Sequence, residues 1–252
     1  MRISNVQKIT LSALLLALTI ILTRMTPLQN FPIIPWVRIS LGPALIIFAS
    51  IFLGPFYGAI VGAGSDILGI VLFPNALGYG INPLFTLVYG LLGVIPWLVY
   101  TLIKMVKNQR IANIFVVIAA FLLVLAVGYF LFFSPLIETN YTLEIYQKWL
   151  IFSLAIVLFI ATIISIFFIN KHFVKKYGEI FSPYKIAFVA ILSELLVLLF
   201  LNSLVKSITF EVDYFVIFFA QAIVFFIDVP LNTFVVEGLL ILATKYSHRH
   251  AK

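Results

Sequence analysis

Long apolar stretches alternate with short polar segments along almost all of the 252 residues. Eight such stretches lie roughly at 8–25, 41–54, 57–73, 84–105, 112–134, 149–170, 185–205 and 214–244. An apolar run of about 20 residues can cross the hydrocarbon core of a bilayer as a helix. A stretch such as Ile114–Val127 is apolar on every face, whereas a membrane β-barrel needs alternating apolar and polar positions. The pattern therefore predicts an all-α integral membrane protein, a bundle of about eight transmembrane helices.

Composition strengthens this prediction, because 63% of the residues are hydrophobic and only 10% are charged. Soluble domains carry about 25% charged residues. The spans leave no room for a sizeable water-soluble domain, so residues 1–252 are interpreted as a single membrane domain. The formal net charge is +7, but the basic residues lie between the spans, which predicts a role in topology and no nucleic-acid partner. The absence of cysteine excludes disulfides and thiolate chemistry.

The distribution of basic residues predicts the orientation. With eight spans, both termini lie on the same side of the membrane. That side carries twelve basic residues: Arg2, Lys8, Lys104, Lys107, Arg110, Lys171, Lys175, Lys176, Lys185, Lys245, Arg249 and Lys252. The opposite side carries four: Arg24, Arg38, Lys148 and Lys206. The positive-inside rule then places both termini in the cytoplasm, with the chain crossing the plasma membrane several times.

The segment between the first two spans is proline-rich and unusually apolar. It lies between Arg24 and Arg38 and contains three prolines together with Phe31 and Trp36. One interpretation is a semi-rigid lid over an outward-facing pocket, in which an arginine pairs with an anionic ligand. The alternative is an interfacial loop whose tryptophan and arginine side chains anchor at headgroup level.

A second outer segment, residues 73–83, is rich in turn-forming residues. Asn75, Tyr79 and Asn82 offer amides and an aromatic ring, which are groups suited to a flat polar heterocycle. A plain loop has the same composition, so both interpretations stay open. Asn202, near the outer end of the seventh span, adds a further candidate for substrate binding.

Four carboxylates lie within predicted spans: Asp66, Glu194, Asp228 and Glu237. A charge at membrane depth is costly, about 2.5–3.5 kcal/mol for aspartate at a helix centre on insertion scales. Such residues usually face a cavity or a partner, and the alternative is a hydrogen-bonded contact between helices. The histidines lie in polar segments, and no phosphate loop or catalytic set is visible, so neither an enzyme nor a cofactor or metal is predicted.

Small residues recur at a spacing that brings helices close together. Ala13 and Ala17 lie four residues apart on one face of the first span. Gly54, Gly58 and Gly62 repeat this spacing in the third. Small residues at such positions permit close helix contact, either inside the bundle or with another subunit.

The block from Trp36 to Gly69 resembles the substrate-binding S component of energy-coupling factor (ECF) vitamin transporters. It contains R-I-x-L-G from Arg38, followed by G-P-x-x-G-A-x-V-G-x-x-x-D-x-x-G from Gly54. Together with Phe73-Pro74 and the sequence at 82–87, it is most similar to the folate-specific group. The resemblance covers about residues 8–105.

The resemblance implies a protein that captures a vitamin from outside the cell with high affinity. It would deliver the vitamin by docking on a shared membrane coupling subunit driven by two cytoplasmic ATPases. Ala13 and Ala17 would face that coupling subunit, and the loops after the first and third spans would cover the ligand. Because the family core has six helices, the two surplus spans are interpreted as an inserted hairpin at 106–180. The first four core helices would then occupy 8–105 and the last two 181–246.

Two other classes of protein compete with this interpretation. An autonomous secondary transporter could use Asp66, Glu194 or Asp228 as a proton-coupled site. Inverted repeats would favour such a carrier, and the two halves of the chain show no convincing repeat. A membrane enzyme would need a catalytic set, which the sequence lacks.

Overall fold

The computed structural model describes residues 4–24, 40–73, 80–105, 109–133, 144–177 and 183–250. These ranges contain eight successive helices. The first four are α1 (Asn5–Arg24), α2 (Gly42–Leu53), α3 (Pro55–Leu72) and α4 (Pro83–Met105). They are followed by α5 (Gln109–Phe133), α6 (Ile145–Tyr177), α7 (Pro183–Ser193, Glu194–Leu201 and Asn202–Phe210) and α8 (Tyr214–His250). The described residues include no strand, and the predicted all-α helical bundle is confirmed.

Six of these helices contain an apolar stretch long enough to cross a membrane. The stretches are Asn5–Arg24, Pro55–Leu72, Pro83–Met105, Ile145–Ser165, Lys185–Phe210 and Val224–Ala243. Two shorter apolar stretches accompany them: Gly42–Leu53, which is α2, and Val124–Phe133, which is the last part of α5. The chain is therefore a multi-pass membrane protein. Its last helix is 37 residues long and continues through Pro230, beyond the predicted end at 244.

The turn between α2 and α3 follows from local chemistry at Gly54-Pro55. Gly54 has φ +103°, a backbone conformation that favours glycine, and its N–H donates to the carbonyl of Ser50. Pro55 then occupies the first turn of α3, where its missing N–H is tolerated. The two helices reverse direction within one residue, which accounts for the short α2.

Glycines let the backbones of α3 and α4 touch. A Cβ added at Gly93 would overlap the backbone of Gly58, and one added at Gly62 would overlap the carbonyl of Tyr89. Gly58 and Gly62 therefore serve contact inside the bundle, which decides for these two glycines the alternative that the sequence left open. This close packing holds α4 against α3, and the two helices also contribute polar groups, Asp66 and Thr86, that contact each other.

Replacing Gly93 with alanine should lower the stability of the protein, because the added methyl group meets rigid backbone atoms. Overpacking of this kind costs about 1–3 kcal/mol. Gly90→Ala is a matched control in the same helix, since its Cβ would meet only Ala63 Cβ at 3.7 Å. Thermal unfolding of the two purified variants in one detergent should show a clearly lower midpoint for Gly93→Ala. Equal midpoints would contradict the backbone contact.

The helices bury two main apolar clusters. One joins α1–α4 to α7 and α8, with Ile46, Leu92 and Val236 among its buried residues. The other joins α5 and α6 to α7 and α8, around Val127 and Phe226. Thus α7 and α8 lie between the first four helices and the α5–α6 hairpin, which packs on α7 and α8.

Helix α7 departs from regular geometry in its middle. Residues Glu194–Leu201 form a π-helix between two α-helical stretches. The apolar pattern predicts a helix at 185–205 but contains no signal for the wider turn. Such segments are rare and frequently occur at functional sites. Here the π-helix begins at a buried carboxylate, Glu194.

Candidate functional site

Several buried polar side chains of the bundle interior lie toward one end, among them Thr19, Asp66 and Asn202. The chain reverses direction between successive helices. As a result, α1, α3 and α7 end on the same side of the bundle on which α2, α4 and α8 begin. We call this the upper end. Segments 25–39 and 74–79 join helices at this end. Arg38, Phe31, Trp36, Asn75 and Tyr79, five of the predicted site residues, belong to these segments and lie outside the described residues.

The short α2 lets this polar region lie deep. Its 12 residues rise about 18 Å, less than the roughly 30 Å hydrocarbon core. The backbone N–H of Ser40, just before α2, donates to the carboxylate of Asp228. Asp228 lies about 21 Å along α8 from Tyr214, at 1.5 Å per residue. The polar groups therefore lie well below the upper end of α8.

Arg24 ends α1 and turns into the bundle, as predicted, but it already has a carboxylate partner there. Its Nη2 lies 3.8 Å from Oδ1 of Asp66, and the two side chains are only 11% and 5% exposed. Thr86 of α4 donates its hydroxyl to Asp66 Oδ2 at 2.8 Å. Gly69 lies beneath the guanidinium, where a Cβ would meet Arg24 Nε. Three helices are thus joined by one charged, hydrogen-bonded group.

Asn82 is a helix cap and a link between helices. Its Oδ1 accepts the backbone N–H of Leu84 at 3.0 Å, and its Nδ2 donates to Thr209 Oγ1 of α7 at 3.1 Å. Asn202 is buried at the first residue of the last α-helical stretch of α7. Asn82 immediately precedes α4 and Asn202 lies in α7, and both helices reach the upper end.

The sequence did not predict the contact between Lys206 and Gln221, which are both partly buried. With the Gln221 amide oriented so that both of its atoms are satisfied, its nitrogen donates to the Leu198 carbonyl at 2.6 Å. Its oxygen then accepts from Lys206 Nζ at 2.8 Å. Lys206 was counted among the outer basic residues because the seventh span was predicted to end at 205. Helix α7 instead continues to Phe210, which places Lys206 within it.

Glu194, Asp228 and Asn232 form the deepest part of this polar region. Asn232 Nδ2 donates to Glu194 Oε1 at 3.0 Å, and both side chains are buried. Asp228 lies near enough to Glu194 and Lys206 for electrostatic interaction. Sequence analysis singled out the two carboxylates as charges within predicted spans, but it did not predict the hydrogen bond between Asn232 and Glu194. We call Glu194, Asp228 and Asn232 the acceptor cluster.

The two alanines of α1 lie on the surface of the bundle. Ala13 and Ala17 are exposed, whereas Leu15 and Thr19 face the interior. Their small side chains leave the backbone of α1 accessible to another helix. Internal packing therefore does not account for this pair, and a small-residue face is open to a partner.

A comparison with known protein families matches most of the chain. The sequence model of the family described as "ECF transporter, substrate-specific component" matches residues 7–170, about two thirds of the chain. No curated protein and no solved structure matches. The matched range begins in α1, includes the block from Trp36 to Gly69 and ends within α6.

Proposed function

Since the chain belongs to the family of ECF transporter substrate-specific components, we propose that it captures a vitamin or vitamin precursor outside the cell and delivers it to the coupling subunit. Members of this family are transporter subunits and not enzymes. They associate in the membrane with a coupling subunit and ATPases. The observation that carries the proposal is the buried polar region that extends from Arg24 and Asp66 down to Glu194 and Asn232, on the side of the bundle where segments 25–39 and 74–79 connect helices.

The ligand is held between this polar region and those two segments. Arg24 and Arg38 supply positive charge for an anionic group, and Phe31 and Trp36 supply an apolar wall. A guanidinium has five N–H donors, so Arg24 can contact an anionic group of the ligand as well as Asp66. Its ion pair with Asp66 holds the side chain at the pocket wall.

The second segment supplies hydrogen-bonding groups for a flat heterocycle. Asn75 and Tyr79 approach the ligand from residues 74–79, while Asn82 and Asn202 contribute from α4 and α7. The ligand is therefore a small molecule with an aromatic heterocycle and an anionic group. Folate combines these two features, and the resemblance to the folate-specific group makes it the first compound to test.

The α5–α6 hairpin is an addition to a six-helix core in this proposal. It packs on α7 and α8, whereas α1–α4 share a separate cluster with those same helices. The core then consists of residues 8–105 and 181–246, with the hairpin at 106–180 inserted between them. This arrangement leaves α1, with Ala13 and Ala17, free to face the coupling subunit.

Orientation can be tested with single cysteines, because the native chain has none. We expect a cysteine at Asn140 to react with a membrane-impermeant reagent in intact cells, since it lies in an outer loop. A cysteine at Gln109 should react only after the cells are opened, because both termini and this loop are cytoplasmic. The reverse labelling pattern would overturn the predicted orientation, in which the side with twelve basic residues is cytoplasmic and the side with four is outside.

Transport in reconstituted vesicles tests the proposed function directly. Uptake of labelled folate, or of another vitamin found to bind, should require the coupling subunit, the ATPases and ATP. An autonomous proton-coupled carrier using Asp66, Glu194 or Asp228 would instead take up the compound alone, driven by a proton gradient. Gradient-driven uptake by the solitary protein would therefore replace the proposed function with that rival.

A further inference from the structure

The acceptor cluster has more hydrogen-bond acceptors than the described residues satisfy. Asn232 is fully buried, and its amide orientation is fixed because its nitrogen donates to Glu194. Its Oδ1 has no hydrogen-bond partner among the described residues, and neither has Oδ1 of Asp228. A buried acceptor without a hydrogen bond costs about 1–3 kcal/mol. Native structures therefore usually provide a donor from a protein group, water or ligand.

The charged groups near the acceptor cluster also favour a ligand that donates hydrogen bonds. Glu194 and Asp228 are two carboxyl groups near each other, and the ammonium of Lys206 lies near Asp228. Lys206 also donates to Gln221, so its donor capacity is shared. The Arg24 guanidinium is engaged with Asp66. The cluster thus presents two carboxyl groups and one amide oxygen as acceptors, which favours a group with N–H donors.

The π-helix contributes to the geometry. Glu194 opens the π-helical segment, and the next turn presents the Leu198 carbonyl that accepts from Gln221. On α8, Asp228 and Asn232 are four residues apart and therefore lie on one face. These placements direct two carboxyl groups and one amide oxygen from facing helices into the same region.

We propose that the acceptor cluster is the part of the substrate site that binds a group with at least two N–H donors. Two kinds of group have such donors: a nitrogen heterocycle that carries an amino group, and a cation such as an amidinium or a protonated amine. The inference rests on the proposed function and specifies its substrate: an N–H-rich group at Glu194, Asp228 and Asn232, with an anionic group toward Arg24. Carboxylates accept paired N–H donors in charge-assisted hydrogen bonds, which are the strongest available here.

Three small probes test the cluster with the purified full-length protein. They are 2,4-diaminopyrimidine, a neutral ring with N–H donors, benzamidine, a cation, and benzoate, an anion without N–H donors. Ligand-observed NMR titrations should show saturable binding of at least one donor probe to the wild type. Glu194→Gln and Asp228→Asn should each weaken that binding tenfold or more, while benzoate binding changes less than twofold. The donor probe that binds more tightly identifies whether the group is neutral or cationic.

Glu237→Gln is the matched control, since Glu237 is a buried carboxylate of α8 outside the cluster. It should leave binding of every probe unchanged. Absence of saturable donor binding in the wild type would overturn the inference, as would donor binding that survives both cluster substitutions. Co-purification of the same wild-type preparation with the coupling subunit and ATPases reports on the proposed function separately. Normal assembly without donor binding would reject only the acceptor cluster, whereas failure to assemble would reject the proposed function itself.

Discussion

Replacing both Ala13 and Ala17 with tryptophan should abolish co-purification with the coupling subunit. Both alanines are exposed on α1, and small side chains four residues apart allow another helix to approach the backbone closely. Two indole rings would hold that helix away along a whole turn. Ligand binding by the solitary protein should stay within twofold of wild type, because the buried face of α1 is untouched. Affinity pull-down and calorimetry on the same preparation measure the two effects.

Leu150→Trp with Leu154→Trp is the control for this experiment. These residues have the same spacing and are exposed on α6, which belongs to the hairpin and not to the first helix. The control should assemble at the normal yield. If the alanine variant also assembles normally, Ala13 and Ala17 do not contribute to the docking face.

Replacing Arg24 with alanine should weaken ligand binding by roughly 10- to 150-fold. A hydrogen bond to a charged group contributes about 1.5–3 kcal/mol, and each 1.4 kcal/mol corresponds to a tenfold change in affinity. Calorimetric titration of wild type, Arg24→Ala and Arg38→Ala with folate and a panel of other vitamins measures the loss. Unchanged affinity in both variants, for whichever vitamin binds, would refute an arginine-anchored pocket.

The ion pair with Asp66 requires a second variant to separate two roles of Arg24. Arg24→Ala leaves the Asp66 carboxylate buried without its cation, which is destabilising in its own right. Adding Asp66→Asn removes that unpaired charge and retains an acceptor for Thr86. If Arg24 contacts the ligand, the double variant recovers thermal stability and still binds weakly. Recovery of full affinity would show that Arg24 acts only by holding Asp66.

The structure differs from expectation most clearly around buried charges. The sequence predicted that Arg24 faces the bundle, and it does, but its pairing with Asp66 was not predicted. Lys206 was assigned to an outer loop and instead lies in α7, beside Gln221. In both cases the helix was recognised and the partner was not, because a partner on another helix leaves no local trace.

The sequence by itself determined the class of protein, the all-α architecture and the approximate extent of the helices. Apolar length is a local property, and a chain in lipid must satisfy its backbone groups within each helix. The Gly54-Pro55 turn is equally local. The family resemblance likewise depended on contiguous residues, from Trp36 to Gly69, and the family match includes them.

Only the tertiary structure decided which polar groups meet. Asn82 and Thr209 are 127 residues apart, and Glu194 and Asn232 are 38 apart. Only the packing of one helix on another brings such residues into contact. The same packing directed Gly58 and Gly62 of α3 toward α4 and left the alanines of α1 exposed. Spacing along a helix shows which residues share a face, whereas the neighbour of that face depends on how the remaining helices fill the space around it.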